Sequence, residues 1–165
     1  MKLSIIVPLF FAGISFTACL DTPDLPPEPR LSQVSARLID SLDLLDTNTF
    51  CRLKVSFTDG DGDIGLDAGD TLPPFNPGGE FYYNLLVDVY EKEGDSFKLA
   101  ELPFPFHSRI GNLTPQGQNK TLIGTITYDM DLSGIELDTF QLRTRLIDRA
   151  LNISNEVQSS EIVLE

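Results

Sequence analysis

Tryptophan is absent from this chain of 165 residues, histidine occurs once, at His107, and cysteine occurs twice. A single histidine excludes a His-only metal centre and any motif built on two histidines. Two cysteines allow one bridge at most, so no disulfide framework can stand in for a core. Basic residues are few, 12 against 25 acidic, and the formal net charge is −13. That balance argues against a nucleic-acid partner, which demands a basic footprint. Hydrophobic residues make up 41% of the chain, enough for a packed core and too many for a disordered chain. The length fits one domain of ordinary size.

The first residues read MKLSIIVPLFFAGISFTAC. Lys2 supplies a short positive region, and Leu3 to Phe11 is almost unbroken in its apolarity. This run is shorter than the ~20 residues of a spanning helix, and it suits a signal peptide. Phe16-Thr17-Ala18-Cys19 resembles the lipobox of bacterial lipoproteins, with Phe16 where that family most often has leucine. The resemblance implies cleavage before Cys19 and acylation of its thiol, palmitate included, with several acyl chains giving stable membrane anchoring. The expected organisation is a lipoprotein signal peptide at 1–18, lipidated Cys19 with a Pro-rich tether at 19–30, and one domain at 31–165. Residues 1–18 hold one basic residue, Lys2, and no acidic one, so the mature net charge would be −14. Lipidation of Cys19 would leave Cys51 without a partner, and Cys51 sits in an alternating run as a small buried hydrophobe.

Residues 20–30, LDTPDLPPEPR, carry four prolines and three acidic residues. Proline fixes φ and removes a donor, so this tether is expected to be extended and poorly paired. Asp21 and Asp24 loosely resemble the acidic surface-export tethers of some Bacteroidota lipoproteins; a plain flexible linker is the other reading.

Period-two alternation dominates the rest. Cys51, Leu53, Val55 and Phe57 share one face of Phe50–Thr58, and Phe140, Leu142, Thr144 and Leu146 share one face of Asp138–Ile147, with Gln141, Arg143 and Arg145 opposite. Tyr82–Tyr90 is apolar on both faces, as in a central strand. Gly94-Asp95 turns the chain into Phe97–Leu102. Thr121–Tyr128 is β-prone, and Glu156–Leu164 forms a last strand. Leu31–Asp46 fits helical spacing as well as alternation, and is read as a first strand followed by a loop. The expected fold is all-β, an antiparallel immunoglobulin-like β-sandwich of about seven strands.

One motif is sharp. Asp59–Asp70 reads DGDGDIGLDAGD, with five aspartates and no basic residue. Ca2+ takes six to eight hard oxygens, and alternating aspartates can wrap a cation where glycine lets the backbone turn. Ile64 and Asp70 stand where an EF-hand loop has glycine and a bidentate glutamate, and a strand precedes the loop, so an EF-hand is rejected. Mutual repulsion favours a bound cation; a solvated acidic turn remains the alternative. In an immunoglobulin-like sandwich the loops after the second and sixth strands meet at one end. That brings Asp148, with Asn152 or Asn155, toward Asp59–Asp63. The candidate Ca2+ ligands are Asp59, Asp61, Asp63, Asp67, Asp70 and Asp148, unless Arg149 neutralises the acidic loop as an ion pair.

Phe57–Gly65 (F-T-D-G-D-G-D-I-G) and Asp148–Asn155 (D-R-A-L-N-I-S-N) resemble single-domain Bacteroidota lipoproteins with an immunoglobulin- or cadherin-like sandwich, over roughly residues 31–165. That family has no settled activity, so the resemblance implies fold and location. No Ser-His-Asp assembly can be argued around His107, and the acidic loop would repel a phosphate. Phe81, Tyr82, Tyr83 and Tyr90 are read as core packing ahead of a carbohydrate platform. The expected function is non-catalytic: a lipid-anchored binding or adhesion-type module of the bacterial cell envelope, at the outer membrane on its periplasmic or cell-surface face. Its partner would be an envelope protein or a glycan. A structural accessory of an envelope or nutrient-uptake assembly is the second expectation, a small hydrolase the third.

Overall fold

The computed structural model describes residues 24–42 and 47–164. The expected signal peptide, Cys19 and the loop expected at the end of Leu31–Asp46 fall on residues outside those described. Eight strands follow one another: β1 (Arg30–Leu42), β2 (Thr47–Asp59), β3 (Leu85–Glu93), β4 (Ser96–Leu99), β5 (Leu122–Asp131), β6 (Thr139–Leu146), β7 (Val157–Gln158) and β8 (Ile162–Val163). They form two antiparallel sheets, one in the order β1-β2-β5, the other β4-β3-β6-β7 with β8 also on β6.

The alternation places the core. Cys51, Leu53, Val55 and Phe57 of β2 are buried, as are Leu85, Val87 and Val89 of β3 and Phe140, Leu142, Thr144 and Leu146 of β6. Both sheets contribute to one apolar cluster, the arrangement that lets each sheet hide one face. Burial pushes the Cys51 thiol up to about 11. On the opposite face of the first sheet, Arg52 grips Asp129 of the paired strand through two bonds of 2.7 and 2.6 Å.

Leu31–Asp46 resolves in favour of the strand, which runs to Leu42 because β2 pairs along nearly its whole length; a helix would leave that edge unmatched. Three expectations change. Tyr82 and Tyr83 precede β3, which begins at Leu85. Gln141 keeps the outer face of β6 with Arg143 and Arg145 but is buried there, where Gln158 on β7 donates to its Oε1 at 2.7 Å. The last strand is broken in two. Between its halves the Ser159 hydroxyl accepts the Leu142 N–H at 3.0 Å, taking a backbone carbonyl's place on β6.

Two long connections, 60–84 and 100–121, pack on one another. Leu66 N–H donates to Ile110 O, Leu113 N–H to Ile64 O, and buried Asn84 bonds both polar backbone groups of Ile110. Arg109 donates to the carbonyls of Phe75, Tyr82, Asp67 and Asp70. One guanidinium thus folds the acidic loop onto its neighbour without spending a carboxylate. Tyr82, Tyr83 and Tyr90 are half-buried and lie outside the buried core. Tyr82 lies under Arg109, Tyr83 edges onto Tyr82 and His107, and Tyr90 lies under Arg143 with the guanidinium 3.8 Å from the ring centre. His107 is a structural acceptor, its Nδ1 receiving the Val87 N–H at 3.1 Å.

Candidate metal centre

β2 ends at Asp59 and β6 ends two residues before Asp148. The chain beyond each end continues the pairing: Ile64 bridges Asp148, and Arg149 N–H donates to Asp63 O at 3.2 Å. Two loops remote in sequence are therefore stitched side by side at one end of the sheets. Carboxylate oxygens of Asp59, Asp63 and Asp148 lie within 4.8 Å of one another. Two ligands on one Ca2+ at ~2.4 Å can stand no farther apart than about 4.8 Å, so the triad could hold one metal ion.

Each carboxylate is oriented. Asp59 Oδ2 accepts the Asp63 N–H at 3.0 Å. Asp148 accepts the Asn152 N–H at 2.7 Å through Oδ1 and the Asn152 side-chain amide at 2.8 Å through Oδ2. Asp59 is 0% exposed and Asp148 1% exposed. The other oxygen of Asp59 and Oδ1 of Asp63 are buried without a hydrogen-bond partner. A buried acceptor left unpaired carries its full desolvation penalty, and a cation is what removes it.

The electrostatics agree. Burial, with the charges of Asp61 and Asp63, pushes Asp59 up to about 7. Asp63 is raised by burial and by Asp148 and Asp61, against the pull of the Ala150 and Arg149 amides. Asp148 is raised by burial, and the Asn152 bonds draw it back. Asp61 is exposed, and its charge acts on all three. The donors are hard oxygens with neither His nor Cys among them, which suits Ca2+ or Mg2+ over softer metals.

Asp67 and Asp70 are not brought to this cluster. Arg149 reaches them both, at 3.2 Å to Asp67 Oδ2 and 2.8 Å to Asp70 Oδ2, so the ion-pair expectation holds for this half of the loop and the ligand expectation for the other half does not extend to it. Asn155 also leaves the site: it accepts the Leu31 N–H at 2.9 Å and donates to Leu31 O at 3.0 Å. Arg109 and the loop at 111–120 were not legible as parts of this region. All the hydrogen bonds Arg109 is shown to make go to backbone carbonyls, which carry no sequence signal. The sole hint of the 111–120 loop is Gly62, whose φ is +67° and whose added Cβ would collide with Lys120 O.

No protein family, curated protein or solved structure matches this chain.

Proposed function

We propose that this chain is a lipid-anchored module of the bacterial cell envelope, binding or adhering to an envelope protein or glycan, on an immunoglobulin-like sandwich stiffened by Ca2+. The observation that carries the Ca2+ reading is the Asp59 carboxylate, fully buried, half unpartnered and facing two further carboxylates. The strand order supports the fold assignment. With β1, β2 and β5 as A, B and E, and β4, β3, β6 and β7 as C′, C, F and G, the loops after B and F meet at one end, as in that fold. Ca2+ is preferred to Mg2+ because a cluster of protein carboxylates suits the six to eight oxygens of Ca2+, whereas Mg2+ demands a near-ideal octahedron and keeps most of its waters. The anchor rests on the lipobox-like sequence around Cys19.

Titration of the full chain with CaCl2 by calorimetry tests the site. One equivalent should bind with Kd of about 10^-4–10^-3 M, the range of extracellular modules, and more tightly than Mg2+. Absence of heat and of any thermal shift in millimolar CaCl2 would remove the Ca2+ from this reading. For the anchor, Cys19→Ser should abolish palmitate labelling and release the protein from the membrane fraction; unchanged fractionation would remove the anchor.

A further inference from the structure

The tether was expected to run free, and its described part does not. Gly60 N–H donates to Pro26 O at 2.9 Å. A Cβ on Gly60 would collide with the carbonyl oxygens of Leu25 and Pro26, so only glycine lets the two backbones meet this closely. Pro29 is buried and Leu25 half-buried. Asn155 then clasps both backbone groups of Leu31, closing the start of β1 where a bulge interrupts its pairing.

Both holding points belong to ligand-bearing loops. Gly60 is the residue after Asp59. Asn155 lies three residues beyond Asn152, which fixes both oxygens of Asp148. We propose that a cation bound by Asp59, Asp63 and Asp148 latches residues 25–31 onto the domain, so that cation binding and tether docking are one coupled equilibrium. This rests on the Ca2+ reading above.

The coupling follows from the placement. Three carboxylates crowded at the ends of two loops repel one another, and separating them carries Gly60 away from Pro26 or Asn155 away from Leu31. A cation binds only the closed arrangement, so it selects the docked tether. Reciprocity then requires that loosening the tether weaken the cation by the same factor. Where Cys19 is the anchor, the latch also sets reach. The six residue steps from Cys19 to Leu25 span at most about 21 Å, and the twelve to Leu31 about 42 Å. Docking therefore halves the distance the domain can stand from its membrane.

The experiment is hydrogen exchange on the full chain, purified in detergent, in EDTA and in saturating CaCl2, with calorimetry alongside. Wild type should show exchange at 25–31 and at the Gly60 amide slowed about tenfold or more by CaCl2. Gly60→Ala undocks the tether without touching a ligand, and should weaken Ca2+ about fivefold or more while abolishing that protection. Asn155→Ala removes the second clasp and serves if Gly60→Ala fails to fold, its β2 and β6 amides reporting an intact core. Ca2+ binding of unchanged affinity in the variants, or exchange at 25–31 indifferent to CaCl2, overturns the latch and leaves the metal site standing. No Ca2+ binding by wild type overturns both.

Discussion

Asp59→Asn keeps the shape of the side chain and removes its charge, and it should act in opposite directions with and without the metal. In the native fold Asp59 is 0% exposed and raised from 3.8 to about 7. The folded chain therefore binds more protons than the unfolded chain between those values, and metal-free stability falls as pH rises through that window. At about 1.4 kcal/mol per unit, ionising Asp59 by pH 8 costs up to about 4 kcal/mol. Loop relaxation leaves about 1–3 kcal/mol of it. Asparagine escapes this penalty, keeps an oxygen for the Asp63 N–H, and offers an amide to neighbouring carboxylates. In EDTA at pH 8 the variant should melt about 3–9 °C above wild type, at roughly 3 °C per kcal/mol. At pH 5, inside that window, the gap should narrow to about 40% of its pH 8 value, and below the unfolded value of 3.8 it should close. Ca2+ at ten times its Kd should raise wild type by about 1.4 kcal/mol and the variant by nothing. Scanning calorimetry under the four conditions decides it. A variant less stable than wild type in EDTA at pH 8, or one with an undiminished Ca2+ shift, refutes the reasoning.

Three further outcomes are expected. Ca2+ must displace the Asp59 proton, so affinity should rise between pH 6 and 8, and calorimetry at pH 7 in buffers of different ionisation enthalpy should register proton release. Arg149→Ala frees the charges of Asp67 and Asp70 and should lower stability by about 1 kcal/mol in urea unfolding, with Ca2+ affinity changed less than threefold; a tenfold loss would place Arg149 within the metal site. Cys51, buried with its thiol pushed up to about 11, should resist a thiol reagent at pH 8 in the fold and react in guanidinium. Labelling of the native protein at the unfolded rate would contradict its burial.

The parts of the fold legible in the sequence are those where one strand meets the core with one face. In β2 and β6 every second side chain is sealed by the opposite sheet, so burial repeats with the period of the backbone itself. The triad was legible for a related reason. Asp59 ends one of the two clearest strands and Asp148 sits just past the end of the other, and the order of those strands predicts which loops meet. What escaped depends on neighbours that local pattern does not encode. The helical spacing that competes with alternation in Leu31–Asp46 is overruled only because β2 offers that stretch a partner, and Gln141 is buried because Gln158 caps it. Asp67 and Asp70 look like further ligands in the DGDGDIGLDAGD run, and differ only in lying within reach of Arg149.

The glycines of that run separate two demands that composition alone merges. Aspartate spacing reads as a demand for ligands, and glycine as permission to turn. In the fold Gly60 abuts Leu25 and Pro26, and Gly62 abuts Lys120, so two of the glycines are places where another stretch of backbone approaches too closely for a side chain. The alternation therefore does two jobs on opposite sides of one short stretch. Carboxylates at 59 and 63 turn toward Asp148, while bare backbone at 60 and 62 receives Leu25-Pro26 and the 111–120 loop. Replacing a glycine here should disturb the metal site through the segments packed behind it, with every ligand intact. Replacing Asp61, which is exposed, should weaken the cation mainly through charge, and high salt should reduce that effect.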